Sequence, residues 1–321
     1  MKQYQITAKK TYELSEKEWV EFTAAFNFIF KKHFTSDHFK TKYFGSSLGY
    51  SVHGILFHNN KIVGMFTAIP RQYIFKEQEV TIALGCDAFI LKEHRKDEYF
   101  LKQMADVVTS SLKNEGASHF ISIPNKTAYP YWKYYGEWKD IGKLDYYVIP
   151  LRVSKLLGKY KFADFFSFPF YQSIIACAAS CSILSNKYVD KTIRLKRDPK
   201  YFAQRYNSEY KIMNIPDQAS FVYRIYNEDG IRTAYLIDCY PLSRTNIAIA
   251  LKQIIKETKG NIDVILFVGK IDNPPFFFIK VPEKREPRIQ PFIGLSLNHS
   301  FDNDFFSIDS WEVSLANFDN R

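Results

Sequence analysis

The chain has 321 residues, roughly twice the length of a common single domain, so its length predicts two domains. Hydrophobic residues make up 46% of it and aromatic residues 17%, which excludes a disordered chain and favours sheet-rich packing. The formal net charge is +10, but the lysines and arginines are spread along the sequence. We therefore expect a basic surface that attracts anionic small molecules, and no specific nucleic-acid groove.

The first 150 residues alternate between strand and helix patterns. Ser15 and Glu18 form a capping box, which predicts the start of a helix. Asn59 and Asn60 tolerate positive φ and predict a hairpin turn, and Gly116 stands where a helix would end. In chain order we predict a strand over 3–8, helices after residues 15 and 36, hairpin strands over 50–58 and 61–69, an edge stretch after Pro70 to residue 75, a central strand over 79–91, a helix from 97, a strand over 117–123, a helix ending near 135 and a closing strand over 145–149.

An apolar segment follows over residues 162–184, with lysines on both sides. It is nearly long enough to cross a bilayer, but Asp164, Pro169 and Gln172 interrupt it. We predict a buried or interlobe helix rather than a membrane span. Peripheral contact with a membrane surface is the alternative.

The second half repeats the order of hairpin, helix, glycine and buried strand. The predicted hairpin strands cover 219–226 and 231–239, the helix 245–258 and the last strand 262–268. This mixed order predicts an α/β (α+β) fold with helices on both sides of a sheet. We expect an N-terminal lobe over 1–152, an interlobe segment over 153–190 and a C-terminal lobe over 191–321.

The cysteines and the N-terminus bear on the compartment. Four cysteines lie among apolar or small residues and form no Cys-x-x-Cys pair: Cys86, Cys177, Cys181 and Cys239. They predict buried free thiols in a reducing compartment and no metal site. Met1–Tyr4 leads into a polar stretch, unlike a secretory signal. We therefore expect a soluble, cytoplasmic protein.

The stretch Gly85–Phe100 carries a buried strand through a short polar loop into the start of a helix. Such a start offers free amides and the positive end of the helix dipole, so it can hold a pyrophosphate. Arg95 and Lys96 add positive charge there, whereas Asp97 and Glu98 add negative charge. A capped helix without a ligand is the alternative.

This stretch resembles the GNAT acetyltransferase signature Val-x-Pro-x-x-Arg-x-x-Gly-x-Gly/Ala. Ile90, Lys92 and Arg95 stand at its Val, Pro and Arg, and Glu98 and Phe100 replace the two small residues. The resemblance implies an acyltransferase, expected to be an N-acetyltransferase, that uses acetyl-CoA or another acyl-CoA as co-substrate.

A later stretch resembles the family's Asn-x-x-Ala-x-x-x-Tyr-x-x-x-Gly-Phe. Asn125, Ala128 and Gly136 match it, and Trp132 replaces the tyrosine, which in the family protonates the departing thiolate. Neighbouring tyrosines would have to take that role. The resemblance thus implies Tyr134 and Tyr135 as catalytic residues and a cofactor-binding set of Ile90, Leu91, Arg95, Lys96, Glu98, Phe100, Asn125 and Tyr131.

Asp87 is a candidate for proton transfer, and two histidines nearby are expected to have other roles. Asp87, on the central strand near the loop, is the carboxylate best placed to act as a base through water; ending the strand or pairing with an arginine is its alternative role. His94 is expected to be a surface residue or a contact of the cofactor. His119 is expected to be a hydrogen-bonded core histidine.

The layout of the whole chain resembles tandem GNAT proteins, including those associated with bacterial surface-polysaccharide genes. It implies two GNAT-like lobes, each a mixed, mostly antiparallel sheet flanked by helices, and a sugar, sugar nucleotide or amino compound as acceptor. The loop Asp238–Asn246, which joins a strand to a helix and holds Arg244, is an alternative anion site in the second lobe. Rival functions are Fem-like aminoacyl transfer and non-catalytic binding.

Overall fold

The computed structural model describes residues 4–46, 48–154, 162–180, 191–216 and 218–318. Contacts divide the chain into two compact units, each with its own sheet. The first unit comprises Met1–Gly142, Thr192–Tyr206 and Gln290–Ile308, and the second comprises Lys143–Lys191, Asn207–Ile289 and Asp309–Arg321. These units are defined by the contacts between residues and are not continuous in sequence. The lobe bounds drawn from the sequence, 1–152, 153–190 and 191–321, stay a prediction.

The described part of the chain forms fourteen strands and eight α-helices. In the first half these are β1 (Tyr4–Lys10), α1 (Glu16–Phe30), α2 (Ser36–Phe44), β2 (Val52–His58), β3 (Lys61–Phe75), β4 (Gln78–Ile90), α3 (Phe100–Asn114), β5 (His119–Ser122), α4 (Ala128–Tyr134), β6 (Lys139–Lys143) and β7 (Asp145–Pro150). In the second half they are α5 (Ala163–Ser180), β8 (Ile193–Leu195), α6 (Pro199–Arg205), β9 (Lys211–Ile215), β10 (Ala219–Glu228), β11 (Ile231–Tyr240), α7 (Arg244–Glu257), β12 (Val264–Gly269), β13 (Ile279–Lys280), β14 (Pro291–Ser296) and α8 (Asp302–Phe305).

Local sequence signals determine several element ends. The Ser15 hydroxyl accepts a hydrogen bond from the Glu18 amide, and the Glu18 carboxylate accepts one from the Ser15 amide, which confirms the capping box at the start of α1. Asn59 and Asn60 have φ angles of 50° and 59° in the turn between β2 and β3, as predicted. Strand β3 continues through Pro70 to Phe75 without the expected break.

The sheet of the first unit has the strand order β1-β2-β3-β4-β5-β14-β6, with β8 paired to the end of β3. The pairs from β1 to β5 are antiparallel except β4 with β5, which is parallel. Helix α3 packs closely on β2, since a methyl group on Gly54 would lie 2.3 Å from the Met104 carbonyl oxygen. His119 is fully buried and lies 3.0 Å from Asp302 Oδ1, so the predicted core histidine is confirmed.

The sheet of the second unit has the order β13-β7-β12-β11-β10-β9, with β11 and β12 as its parallel pair. The run β9-β10-β11-β12 repeats the run β2-β3-β4-β5. The strand that comes next in each sheet comes from the other half of the sequence. Strand β14, from the second half, lies beside β5, and β7, from the first half, lies beside β12. The strand predicted over 145–149 is therefore present but does not close the first sheet, because its backbone bonds to residues 264–269.

Both central hairpins carry a bulge near the end of the second strand. In β4 the register with β3 shifts around Asp87, and in β11 the register with β10 shifts around Ile237. Asp87 has a φ of 51° there, a conformation that costs a non-glycine residue energy. A helix follows each bulged strand. The two units therefore share the order of hairpin, bulge and helix.

Helix α5 belongs to the second unit and packs on α7. Ile175 and Ala178 are buried in the core, but aromatic side chains and Cys177 on the opposite side are exposed. The predictions of a buried helix and of a buried Cys177 are thus wrong for this outer side, because α7 and the sheet cover only the inner one. Cys86 and Cys239 are buried free thiols, as predicted.

The apolar segment was also compared with the length that a membrane-spanning helix needs. Within the described ranges no helix combines the length and apolarity needed to cross a bilayer. Residues 181–184 of the apolar segment, including Cys181, lie outside the described residues.

Candidate functional site

Asp87 holds its carboxylate in a partly buried ion pair at the bulge of β4. Its Oδ2 accepts hydrogen bonds from Lys42 Nζ at 2.5 Å and from the Tyr43 hydroxyl at 2.7 Å, both on α2. Burial alone would raise the pKa of Asp87, but the Lys42 charge and these hydrogen bonds outweigh it and lower that pKa. The carboxylate is therefore ionised at neutral pH, and its cationic partner is a lysine rather than an arginine.

Buried polar side chains continue from Asp87 into the core. The Cys86 thiol lies 3.5 Å from Asp87 Oδ2, and burial, followed by this neighbouring charge, raises its pKa. His53 bridges the hydroxyls of Thr11 at 3.1 Å and Thr67 at 3.0 Å. Burial lowers the pKa of His53 to about 3, although the charge of Asp87 acts in the opposite direction. Both groups are neutral at pH 7, so Cys86 is not a nucleophilic thiolate and His53 is not an acidic imidazolium there.

The start of α3, where the sequence predicts a phosphate site, is occupied by groups of the same unit. The Tyr99 amide donates to Asp97 Oδ1 at 2.8 Å, and the Lys102 amide donates to the Tyr131 hydroxyl at 3.0 Å. That hydroxyl donates in turn to the Glu98 carbonyl oxygen at 2.7 Å. Two amides that would face a pyrophosphate therefore already have partners.

Other predicted cofactor contacts lie just before this helix. Arg95 Nε donates to the Ile90 carbonyl oxygen at 2.8 Å, which holds the guanidinium group against the end of β4. The Leu91 amide donates to the Val63 carbonyl oxygen at 2.8 Å and so extends the pairing with β3. Lys96 is exposed. The backbone here pairs with its own sheet rather than facing an open groove.

The tyrosines of α4 face the same helix start. The Tyr135 hydroxyl donates to Glu98 Oε2 at 2.7 Å, and this hydrogen bond raises the pKa of Tyr135 to about 12. Tyr134 is 80% exposed and lines, with Tyr131 and Tyr135, a shallow hollow of about 610 Å³. Asn125 caps α4, since its Oδ1 accepts from the amides at positions 127 and 128.

Two tryptophans cover the point where β4 and β5 part. The pairing of these strands ends at Leu84 and Ile121. Trp132 and Trp138 are buried there, and a methyl group on Gly85 would lie 3.3 Å from the Trp138 ring. Phe100 packs into the same core. The structure thus brings most of the predicted site residues together, but they bind one another, and their roles in catalysis and cofactor binding stay predictions.

An open cleft lies at the corresponding place in the second unit, before α7. Its volume is about 250 Å³, and it is lined by Lys191, Leu242, Ser243, Arg244, Lys270, Ile271, Asp272, Asn273, Trp311 and Glu312. Ser243 caps α7 by accepting a hydrogen bond from the Asn246 amide at 3.2 Å. Lys270 directly follows β12, the parallel neighbour of β11. The cleft therefore opens beyond the C-terminal ends of the parallel strand pair.

Charged side chains line the rim of the cleft. Arg244 Nε donates to the Asn273 carbonyl oxygen at 2.7 Å, and no other partner of its guanidinium group is found in the described part of the chain. Lys191 pairs with Asp272 at 2.5 Å, and Lys270 pairs with Asp309 at 3.2 Å. The lining holds three basic and two acidic side chains, and Asp309, which pairs with Lys270, balances the group, so that Arg244 is the cation without a carboxylate partner among the described residues. Across the described ranges no group of three or more side chains suits a metal ion.

Sequence reasoning missed several of these residues. Lys42 and Tyr43 contact Asp87 from more than forty residues away, and no spacing signal links a helix side chain to a distant strand. Lys270 and Asp272 could have been found, because polar residues directly after a buried parallel strand mark the edge where ligands bind. Trp311 reaches the cleft from near the C-terminus, without any local signal.

No protein-family model matches the sequence, and neither does any curated protein. Solved structures share its fold. A GCN5-related N-acetyltransferase from Kribbella flavida matches with a TM-score of 0.60 at 10% identity over 93% of this chain and 72% of that chain. Another from Anabaena variabilis matches with a TM-score of 0.59 at 11% identity over 92% and 74%.

The likeness extends to Saccharomyces cerevisiae N-myristoyltransferase, solved with bound myristoyl-CoA, with a TM-score of 0.52 at 11% identity over 92% of this chain and 79% of that chain. The chain therefore has a GNAT-type fold, and the predicted fold class, two GNAT-like lobes with mixed, mostly antiparallel sheets, is confirmed. At these identities the likeness concerns the fold alone.

Proposed function

We propose that the protein is an acyltransferase that moves an acyl group, expected to be acetyl, from acyl-CoA to an amine or hydroxyl of a small acceptor. One observation carries this proposal: an open cleft, with Arg244 at its rim bonded to a carbonyl oxygen rather than to a carboxylate, lies where a bulged strand leads into a helix in a GNAT-type fold. The start of α3 supports it less, because Tyr131 already occupies one of its amides.

The residues of the cleft suit a pyrophosphate. The start of α7 contributes the positive end of the helix dipole and the amide of its first residue, whereas its Asn246 amide is already bonded to the Ser243 hydroxyl. Arg244 lies at the first position of that helix, with its guanidinium group anchored through Nε to Asn273. Its terminal nitrogens can form charge-assisted hydrogen bonds to phosphate oxygens. Lys270, which follows β12 and pairs with Asp309, lines the other side of the cleft.

The transfer itself requires three events. The acceptor nitrogen or oxygen forms a bond to the thioester carbonyl carbon, the carbon–sulfur bond breaks, and the acceptor proton passes to a base while the thiolate takes up a proton. A second candidate site, in the first unit, contains groups suited to both proton steps. Asp87 is ionised and could accept a proton, and the Tyr135 phenol stays protonated at neutral pH and could return one. Tyr134 is the exposed alternative donor.

Calorimetry with acetyl-CoA tests the proposal and separates the two sites. Arg244→Ala should weaken acetyl-CoA binding by about tenfold to a hundredfold, the effect of losing a hydrogen bond between charged groups. Arg95→Ala is the matched control, since it removes the same side chain from the first unit, and it should leave the affinity unchanged.

Other outcomes assign the site or the function differently. Weakened binding in Arg95→Ala but not in Arg244→Ala places the co-substrate in the first unit. An absence of acyl-CoA binding contradicts the acyltransferase proposal. In that case affinity for aminoacyl-tRNA supports Fem-like aminoacyl transfer, and its absence supports a non-catalytic binding protein.

The acceptor class and the cellular setting complete the proposal. The resemblance to tandem GNAT proteins of bacterial surface-polysaccharide genes supports a sugar or sugar nucleotide as acceptor. We place the protein in the cytoplasm, where acyl-CoA is made. Free thiol release from acetyl-CoA, measured with a panel of amino sugars, nucleotide sugars and amino acids, identifies the acceptor by the compound that accelerates it.

A further inference from the structure

Helix α5 and the residue before it carry a row of exposed aromatic side chains, here called the phenylalanine face. Phe162, Phe165, Phe166 and Phe170 are 69%, 79%, 68% and 59% exposed. Their spacing of three, one and four residues places them on one side of the helix. The face is therefore a contiguous apolar surface rather than a set of scattered residues.

The opposite side of α5 is also apolar. Ile175 and Ala178 are buried in the core of the second unit, and Phe168, Tyr171 and Ile174 pack against it. Farther along the exposed side Gln172 and Ser173 are polar, so the uncovered apolar surface is that of the four phenylalanines. Because the core covers only the inner side, the phenylalanine face is a surface for an external partner.

Charge identifies the chemistry of that partner. The one ionisable carboxylate of α5, Asp164, accepts hydrogen bonds from the amide and hydroxyl of Ser154, at 2.8 Å and 2.5 Å, and is not part of the face. The turn just after α7 lies beside this part of α5, since a methyl group on Gly260 would lie 2.5 Å from the Phe168 ring. The exposed charges of the second half of α7 and of this turn are three lysines and one glutamate, Lys252, Lys256, Lys259 and Glu257.

We propose that the phenylalanine face docks on an anionic lipid bilayer, with α5 lying in the plane of the headgroups. The rings enter the boundary between headgroups and acyl chains, and the lysines contact the anionic headgroups. A second copy of the chain fits less well, because it would bring together two molecules of formal charge +10. This inference is independent of the proposed acyl transfer.

Vesicle co-sedimentation of the full chain tests the inference. The wild type should sediment with vesicles of phosphatidylcholine and phosphatidylglycerol, less with phosphatidylcholine alone, and less when salt is raised. Combining Phe165→Ser, Phe166→Ser and Phe170→Ser should lower the partition coefficient about tenfold or more, since apolar burial drives insertion. Phe28→Ser and Phe276→Ser are matched controls at exposed phenylalanines elsewhere and should bind as the wild type does.

Further measurements keep a negative result interpretable. The triple variant should keep its thermal unfolding midpoint and its affinity for acetyl-CoA, because the replaced rings are exposed. Wild-type protein that does not sediment with anionic vesicles, or a triple variant that sediments equally well, overturns the inference. So does sedimentation equilibrium in which a wild-type dimer becomes monomeric in the triple variant without vesicle binding, because the face would then join two copies.

Discussion

At the scale of single residues, Asp87 and His53 show how burial and neighbouring charges determine the protonation state of a side chain. Asp87 stays ionised because Lys42 and Tyr43 contact it, whereas His53 stays neutral because burial outweighs the same carboxylate. At neutral pH Asp87 is thus negatively charged, whereas His53 in the same unit is uncharged. His53 contributes to stability through its bridge between two threonines, and this contribution depends on its staying neutral.

The lowered pKa of His53 predicts a specific pH dependence of stability. The unfolded chain binds a proton at this residue below about pH 6.5, whereas the folded chain binds it only near pH 3. Stability from His53 is therefore fully present above pH 6.5 and is lost as pH falls towards 3. The stability difference between the wild type and His53→Gln should narrow by about 2 kcal/mol from pH 7 to pH 5.

Urea unfolding at the two pH values measures this difference. His33→Gln, at an exposed position on the same lobe, is the control for the exchange of a histidine for a glutamine. A constant difference for His53→Gln would mean that His53 already titrates in the folded state.

At the scale of elements, the start of α3 follows a stretch that resembles the GNAT signature, yet one of its amides is bonded to a side chain of the same unit. Tyr131 on α4 supplies the hydroxyl that the Lys102 amide needs, so no external anion is required to satisfy that amide. Tyr131→Phe should lower the free energy of unfolding by about 1 kcal/mol, the value of one hydrogen bond to a helix amide. Its acetyl-CoA affinity should not change.

Chemical denaturation and calorimetry check both parts of this expectation. Tyr134→Phe removes a hydroxyl from an exposed neighbour on the same helix and should be neutral in both. If Tyr131→Phe instead changed the affinity for acetyl-CoA more than Arg244→Ala did, the first unit would hold the co-substrate.

Signals confined to a few neighbouring residues made most elements predictable. The capping box of Ser15 and Glu18, the Asn59–Asn60 turn and Gly116 at the end of α3 all depend on backbone conformation within one or two turns. Pairing partners were not predictable in this way. Nothing near β7 in the sequence tells that it bonds to β12, and the contacts of Lys42 with Asp87 depend on the packing of the whole unit.

At the scale of the whole molecule, the exchanged strands tie the two sequence halves together. Strand β14 completes the first sheet beside β5, and β7 belongs to the second sheet. A fragment of residues 1–152 would lack β14 and would expose the paired edge of β5, together with an unpaired β7. Such open edges favour aggregation.

We therefore expect the 1–152 fragment not to unfold cooperatively, as measured by circular dichroism during heating. Adding a peptide that spans residues 290–308 should restore some cooperative structure, because this segment belongs to the first unit. A fragment that folds alone with a sharp transition would contradict the importance of the exchanged strand.

The repeat of hairpin, bulge and helix places a strand-to-helix junction in each unit, and the proposed function assigns the acyl-CoA to the second junction, where Arg244 has no carboxylate partner among the described residues. A crystal structure of the full chain with acetyl-CoA tests this assignment most directly. We predict density for the pyrophosphate against the first amide of α7 and the Arg244 guanidinium group. Density between Arg95 and the start of α3, with the Tyr131 hydroxyl displaced, would contradict it.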